Sequence, residues 1–310
     1  MTNDHVGESA RERRKLGEDL EVGRLGLGAM QLPGPGVWGP PVDHEEALGV
    51  LRTARDLGVT HIDSSDAYGP HVSNDLIREA LHPYPPDLVI STKVGVIRDQ
   101  SKAFVAADRP QQLRDQAEAN LRRLGLNELD LVYLRVGGDG LLAPGPTPFI
   151  EAWGALSNLK TEGLIRHLGL SGVTHGQLTE ALLEGPVVAV QNRYHLLDRS
   201  SADVLHTCEE LDIAFVPYFP LSAGILKPEL DTSQLPPGVG PTDRQKRSLD
   251  TIAHRHDASR AQIALAWLLH LAPNILAIPG TSSVSHVKEN IDATHVLLAN
   301  EEVQELTCIG

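Results

Sequence analysis

The sequence predicts a single-domain α/β protein folded as a (β/α)8 TIM barrel. Eight short apolar runs alternate with longer amphipathic stretches, which is the pattern of β-α-β units around a parallel sheet. A length of 310 residues lies within the range of one such barrel. An open doubly wound sheet usually has fewer strands and a glycine-rich fingerprint after its first strand. That fingerprint is absent from the sequence, because the glycines of residues 23–28 fall within the first apolar run.

The apolar runs predict the positions of the strands. In chain order they are 24–30, 60–65, 88–94, 129–136, 165–171, 187–191, 214–219 and 275–279. Apolar residues on one face predict helices between them, at 47–57, 113–124, 150–164, 177–183, 204–211 and 258–271. A capping box at Asp43 and Glu46 begins the first of these helices. Left-handed C-caps are expected at Gly58, Gly125 and Gly163.

Two boundaries follow from composition. Residues 1–20 are mostly polar and charged, which predicts a flexible N-terminal segment, and residues 21–310 form the barrel. Residues 33–41 and 222–244 are rich in proline and glycine and interrupt the alternation. In a barrel both would lie on the face that carries the C-terminal ends of the strands, where active sites are built.

Charge and cysteine content exclude several classes of protein. A net charge of -14 disfavours a nucleic-acid partner and an anionic membrane surface. No run reaches the roughly 18 apolar residues of a membrane span. The two cysteines form no disulfide framework, so we expect a cytoplasmic protein. His254 and His256 lie close together without a third ligand, so no metal site is predicted.

Polar side chains where the second and third apolar runs end form a candidate site. Asp63 and Tyr68 follow one run, and Lys93 ends the next. A lysine cation favours the phenolate form of a tyrosine and is expected to lower the pKa of Tyr68 below its reference of about 10, while Asp63 would hold Lys93. A structural ion pair beside a surface tyrosine would give the same pattern, so both interpretations stay open on spacing alone.

Several separated motifs, taken together and in order, resemble those of the aldo-keto reductases over residues 22–308. They are Gly26–Met30, His61–Asp63 with Tyr68–Gly69, Ser91–Lys93, Gly163 with Leu170–Ser171, Val190–Asn192, Pro217–Leu221, and Ile278–Thr281 with Glu289–Asn290. The resemblance implies a barrel that binds NADPH in an extended conformation and passes a hydride to a substrate carbonyl. It implies that Tyr68 is the proton donor, that Lys93 activates it and that Asp63 is the partner of Lys93.

The resemblance also implies a cofactor site. Ser171 and Gln191 would bond the nicotinamide carboxamide, Tyr218 would stack on the ring, and Leu221 with Ser222 would cover the pyrophosphate. The implied cofactor-binding residues are Gly28, Ala29, Met30, Asp63, Ser171, Gly172, Gln191, Tyr218, Phe219, Pro220, Leu221, Ser222, Pro279, Gly280, Thr281, Ser282, His286, Glu289 and Asn290.

Three positions depart from the family pattern. Gly172 stands where an asparagine is usual, which would remove one contact to the carboxamide. His286 replaces a common arginine on the ribose 2′-phosphate, so the preference for NADPH over NADH would be weaker and more dependent on pH. Arg135 replaces a histidine that orients the carbonyl; it cannot shuttle a proton, but it can polarise a carbonyl oxygen or pair with an anion. A degenerate, poorly active site is the alternative.

A narrower resemblance links the chain to the bacterial branch of this family that reduces pyridoxal to pyridoxine. It covers residues 35–41, 68–74 with 77–81, 134–136 and 278–284 and includes the arginine at 135. Substrate-binding residues would be Trp38, Tyr68, His71 and Arg135. The alternatives are a carbonyl or imine reductase of secondary metabolism and a non-catalytic NADP-sensing subunit. The sequence leaves the oligomeric state undetermined.

Overall fold

A computed structural model describes residues 13–138, 141–224, 226 and 240–309. Seven parallel strands lie side by side in chain order in a curled sheet. They are β3 (Leu27–Gly28), β4 (His61–Asp63), β5 (Val89–Arg98), β7 (Leu129–Arg135), β8 (Ile165–Ser171), β9 (Ala189–Gln191) and β10 (Ala214–Phe215). The (β/α)8 barrel predicted from the sequence is confirmed.

The eighth predicted strand, 275–279, closes the barrel through isolated bridges. Ile275 pairs with Phe215 on one side, and Ala277 pairs with Leu25 on the other. Gly26 N donates to Ala277 O at 2.8 Å, and Leu276 N donates to Phe215 O at 2.9 Å. The neighbouring strands β3 and β10 are only two residues long, and Pro279 has no N–H to donate. A continuous ladder therefore does not form here.

Helices between the strands pack on the outside of the sheet. They are α1 (His44–Asp56), α2 (Val72–Leu81), α3 (Pro110–Leu124), α4 (Phe149–Thr161), α5 (His175–Glu184), α6 (Ala202–Glu210), α7 (Asp243–Arg255), α8 (Arg260–Leu271), α9 (Val284–Asp292) and α10 (Asn300–Cys308). The main hydrophobic core lies between these helices and the sheet, and a second cluster fills the barrel interior. Within the described residues, none of the helices is both long and apolar enough to cross a membrane.

The helix caps predicted from the sequence are observed in the structure, with one exception. Gly58, Gly125 and Gly163 have φ of 89°, 70° and 80°, as left-handed C-caps require. Asp43 caps α1 by accepting from the backbone N of Glu46 at 3.0 Å. The predicted capping box is only half present, because the Glu46 carboxylate accepts from Val284 N at 2.8 Å, at the start of α9.

The N-terminal segment departs from the expectation of flexibility through residue 20. Strands β1 (Arg13–Leu16) and β2 (Leu20–Gly23) form an antiparallel hairpin across the end of the barrel where the strands begin. Leu16 is fully buried there in the cluster that contains Leu131 and Tyr133. Asp19 anchors the hairpin turn through Arg166 and His167, at the start of β8. Residues 1–12 of the predicted segment lie outside the described residues.

A β-arm extends from the opposite end of the barrel. β5 continues beyond the sheet and pairs antiparallel with β6 (Phe104–Ala107). Arg98 on this arm donates to Gly36 O at 3.0 Å and to Val37 O at 3.1 Å. The arm therefore holds the loop at 33–41 on the C-terminal face, where the sequence placed it. In the second interrupted region, residue 225 and residues 227–239 lie outside the described part of the chain.

The hairpin yields a test of its place in the core. Leu16→Ala is expected to lower the free energy of unfolding by about 2–5 kcal/mol, because it truncates a fully buried side chain at the end of the barrel where the strands begin. Urea titration followed by circular dichroism measures this change. Leu183→Ala is the matched control, since Leu183 is 82% exposed. Equal stability of the two variants would mean that the hairpin is not part of the folded core.

Candidate active site

The site is built on an ion pair inside the C-terminal end of the barrel. Lys93 Nζ lies 2.5 Å from Asp63 Oδ1 and donates to the carbonyl oxygen of Ser64 at 2.9 Å. Both charged side chains are almost completely buried. Lys93 Nζ also lies 5.2 Å from the centroid of the Tyr68 ring. The structure thus brings together the acid, the lysine and the tyrosine that the sequence singled out.

The pKa of Tyr68 differs in direction from the expectation. Burial raises the pKa of Tyr68 above its usual value, and the charges of Lys93 and Arg135 oppose this shift without reversing it. Burial by itself lowers the pKa of Lys93, but the Asp63 carboxylate outweighs it, so the pKa of Lys93 is raised. At neutral pH the hydroxyl of Tyr68 therefore holds its proton above a lysine that remains charged.

Asp63 is oriented by two further buried side chains. Its Oδ2 accepts from Ser91 Oγ at 3.0 Å and from Gln191 Nε2 at 2.8 Å. His61 Nε2 lies 3.0 Å from Ser91 Oγ. Because the Ser91 hydroxyl gives its proton to Asp63, His61 is the donor in the second contact. Burial lowers the pKa of His61 to about 4, so the imidazole is neutral at physiological pH.

Arg135 ends β7 beside this group. Its Nη1 donates to the carbonyl oxygen of Val136 at 3.0 Å, and its guanidinium carbon lies 5.7 Å from the centroid of the Tyr218 ring. Its permanent charge favours a lower pKa of Tyr68, against the larger effect of burial.

The two other predicted substrate contacts lie at the rim. Trp38 forms a β-bridge with Gly69, directly after Tyr68, and its ring lies 5.3 Å from the Arg98 guanidinium. His71 Nδ1 lies 2.6 Å from Asp66 Oδ1, and this hydrogen bond raises the pKa of His71. The backbone bridge thus brings Trp38 to the segment that carries Tyr68, and the imidazole of His71, three residues after Tyr68, is more basic than usual.

The residues predicted to face the nicotinamide and pyrophosphate follow β8, β9 and β10. Gln191 and Ser171 are buried and paired in register. The Gln191 amide also donates to Asp63, which links a residue predicted to hold the carboxamide to the ion pair. After β10 the chain turns sharply, with φ of 56° at Phe219 and 53° at Ser222. Left-handed conformations at non-glycine residues are strained and tend to cluster at functional sites.

The predicted adenosine end surrounds the start of α9. Residues 281–283 and 285 supply four hydroxyls, and His286 Nδ1 lies 3.3 Å from Thr281 Oγ1. Hydroxyls and backbone N–H groups at a helix N-terminus suit a phosphate. Two carboxylates form hydrogen bonds at this end. Glu46 accepts from Val284 N, and the Glu289 carboxylate is held by Ser259 Oγ at 2.5 Å.

Three contributors were not assigned a role from the sequence. Ser91 orients Asp63, Asp66 holds His71, and Asn192 accepts from the backbone N of Gly172 and of Val173, each at 3.0 Å. For Ser91 a usable signal was present, because a polar residue beside Lys93 in a buried strand needs a partner.

Comparison with known proteins gives a consistent result. The model of a family described as the aldo/keto reductase family matches residues 24–310. A pyridoxine 4-dehydrogenase from Escherichia coli (strain K12) is 44% identical over 290 residues, which cover 93% of this chain and 95% of that protein.

Two solved structures share the fold over nearly the whole chain. A thermostable aldo-keto reductase in complex with the inhibitor epalrestat has a TM-score of 0.79 and 30% identity, covering 96% of this chain and 100% of that one. An aldo/keto reductase from Klebsiella pneumoniae in complex with NADP and acetate has a TM-score of 0.76 and 25% identity, covering 96% and 95%.

The bridge made by Ser91 can be tested through stability. Ser91→Ala is expected to lower the free energy of unfolding by about 1–3 kcal/mol, since it leaves a buried carboxylate and a buried imidazole each short of one partner. Chemical unfolding gives the value. Ser157→Ala serves as control, because Ser157 only bonds back to its own helix at Trp153 O. A loss no larger than that of the control would argue against the bridge.

Proposed function

The chain belongs to the aldo/keto reductase family, and we propose that within this family it reduces pyridoxal to pyridoxine with NADPH, with Tyr68 as the proton donor. The observation that supports this most directly is the buried Lys93–Asp63 pair beside a tyrosine that keeps its proton at neutral pH. The likeness to a pyridoxine 4-dehydrogenase, at 44% identity, supports the choice of substrate.

The residues present fit the cofactor. Ser171 and Gln191 offer polar atoms for a carboxamide, Tyr218 offers an aromatic face, and the hydroxyls at the start of α9 suit phosphate groups. When bound, NADPH supplies the hydride that the carbonyl carbon accepts. We propose the other cofactor-binding residues named in the sequence analysis on the family resemblance alone.

The chain's own residues provide the proton and the charge. Tyr68 donates its hydroxyl proton to the carbonyl oxygen as the C–H bond forms, so that an aldehyde, a hydride and a proton give a primary alcohol. Lys93 stabilises the phenolate that is left behind, and Asp63 keeps Lys93 charged and in place. In the reverse direction the same phenolate accepts the proton of the alcohol.

Arg135 is proposed to select the substrate. Pyridoxal has a phenolic oxygen next to its aldehyde group, and this oxygen is ionised near neutral pH. The guanidinium at the end of β7, near the Tyr218 ring, can hold that oxygen by a charge-assisted hydrogen bond while the aldehyde oxygen meets the tyrosine. His71, made more basic by Asp66, and the face of Trp38 would complete the rim of the pocket.

Replacement of the tyrosine hydroxyl tests the proton donor. Tyr68→Phe is expected to lower kcat for pyridoxal by about 100- to 10,000-fold, because general acid catalysis is lost while the ring remains. Loss of NADPH absorbance measures the rate, with a panel of other aldehydes, ketones and imines beside pyridoxal. Turnover of another carbonyl or imine but not pyridoxal would favour a tailoring reductase. Cofactor binding without any turnover by the wild type would favour an NADP-sensing subunit.

The pH profile is a second readout of the same assignment. Because the pKa of Tyr68 is raised, the wild type is expected to keep its reductive kcat unchanged from pH 7 to 9. A tyrosine with a lowered pKa would lose its proton in this range and the rate would fall. Such a fall, absent from Tyr68→Phe, would contradict the raised pKa.

A matched pair of aldehydes tests Arg135. Pyridine-4-carboxaldehyde and its 3-hydroxy derivative differ only in the phenolic oxygen. Arg135→His is expected to lower kcat/KM for the hydroxylated aldehyde by about 10- to 100-fold, the range for one charge-assisted hydrogen bond, and to change the other aldehyde little. Arg135→Lys, which keeps the charge without the planar fork, should lie between. Equal effects on both aldehydes would show that Arg135 does not recognise the phenolic oxygen.

A further inference from the structure

The ends of β7 and β8 place Arg135 against a glycine. Arg135 pairs in register with Ser171, the last residue of β8, and Gly172 follows. Gly172 has φ of 71°, in the left-handed region. A Cβ atom built on Gly172 would lie 1.7 Å from Arg135 Nη1, 3.0 Å from its guanidinium carbon and 2.9 Å from the backbone oxygen of Val136. The guanidinium therefore occupies the space that any side chain at position 172 would need.

The backbone at Gly172 is fixed on its other side. Gly172 N donates to Gln191 O and to Asn192 Oδ1, both at 3.0 Å. The buried Asn192 also binds Val173, through its N–H at 3.0 Å and its carbonyl oxygen at 2.7 Å. A side chain at position 172 would thus displace the guanidinium rather than the turn.

The guanidinium, in turn, is held by contacts that such a displacement would break. Its Nη1 donates to the carbonyl oxygens of Val136, at 3.0 Å, and of Ser171, at 3.4 Å. Its planar group lies near the Tyr218 ring. These contacts fix the orientation of the planar group, which a fork requires if it is to recognise one oxygen among several.

We propose that Gly172 is a specificity-determining residue. Because residue 172 has no side chain, Arg135 can take the position in which it recognises carbonyl substrates that carry an anionic oxygen beside the carbonyl group. This inference rests on the proposed function of the site. Gly172 itself touches no substrate and acts through Arg135. The absence of a side chain at 172 and the arginine at 135 form one unit.

Gly172→Ala tests the unit with the same pair of aldehydes. The preference for 3-hydroxypyridine-4-carboxaldehyde over pyridine-4-carboxaldehyde, as a ratio of kcat/KM, is expected to fall about 10-fold, the equivalent of about 1.4 kcal/mol. Gly58→Ala is the matched control, because Gly58 has φ of 89° and nothing within 4 Å of an added Cβ. It imposes similar backbone strain without contact to a guanidinium, and its ratio should equal that of the wild type.

Binding of a ligand that cannot be reduced separates this inference from the proposed function. Calorimetric titration with 3-hydroxypyridine is expected to show weaker binding to Gly172→Ala than to the wild type or Gly58→Ala. If the wild type reduces neither aldehyde, the proposed function fails. If Gly172→Ala binds 3-hydroxypyridine as the wild type does, the inference on Gly172 is overturned, whatever the outcome with the aldehydes.

A double variant covers a failure to fold. Arg135→Ala combined with Gly172→Ala removes the contact with the guanidinium but not the contact with Val136 O, so it is expected to recover part of the melting temperature that Gly172→Ala loses beyond the loss in Gly58→Ala. The preference between the two aldehydes should be as low as in Arg135→Ala alone. If the double variant is no more stable than Gly172→Ala, the guanidinium does not fill this space and the inference is wrong.

Discussion

The buried ion pair between Lys93 and Asp63 is the constraint around which the site is organised. Removing two charges from water is costly, and the cost is offset only where the geometry is good and the remaining polar atoms are satisfied. The barrel meets this requirement with partners from three strands. Ser91 and Gln191 donate hydrogen bonds to the second carboxylate oxygen of Asp63, and the carbonyl oxygen of Ser64 accepts a hydrogen bond from the ammonium group of Lys93. The register that pairs Asp63 with Ser91 brings these atoms together.

The same burial sets the protonation state of the tyrosine. A low-dielectric surrounding disfavours the phenolate, while a cation close by favours it, and at Tyr68 the first effect is larger. Spacing along the chain shows which charges are neighbours but not how much water surrounds them. For this reason the sequence identified Lys93 as the perturbing group and still gave the wrong direction for the pKa. A tyrosine that retains its proton at neutral pH suits the proposed role of proton donor in the reduction of a carbonyl.

Much of the fold was predictable because parallel strands buried on both faces are short apolar runs. β8 was predicted at its observed bounds, and β7 within one residue. The N-terminal hairpin was missed because β1 is charged except for one apolar residue, Leu16. This residue is buried against the end of the barrel where the strands begin. The β-arm was missed because β5 passes from the buried sheet into the arm without an interruption of the strand. Side-chain partners such as Asn192 on Gly172 are set by strand register, which one sequence does not reveal.

The overall charge of -14 makes the local distribution of charge decisive for an anionic ligand. Fields from distant surface acids are screened over about 8 Å at physiological ionic strength, so the residues lining the site determine binding. Lys93 and Asp63 together have no net charge, which removes Lys93 as an anion-binding group. The positive charge near Tyr68 then comes from Arg135, whereas phosphates must be met by hydroxyls and backbone donors at α9. Glu46 already occupies one of those donors with a carboxylate, and His286 supplies no permanent charge in compensation. In the proposed assignment the permanent cation Arg135 therefore lies on the substrate side, and hydroxyls and backbone donors meet the adenosine end of the cofactor.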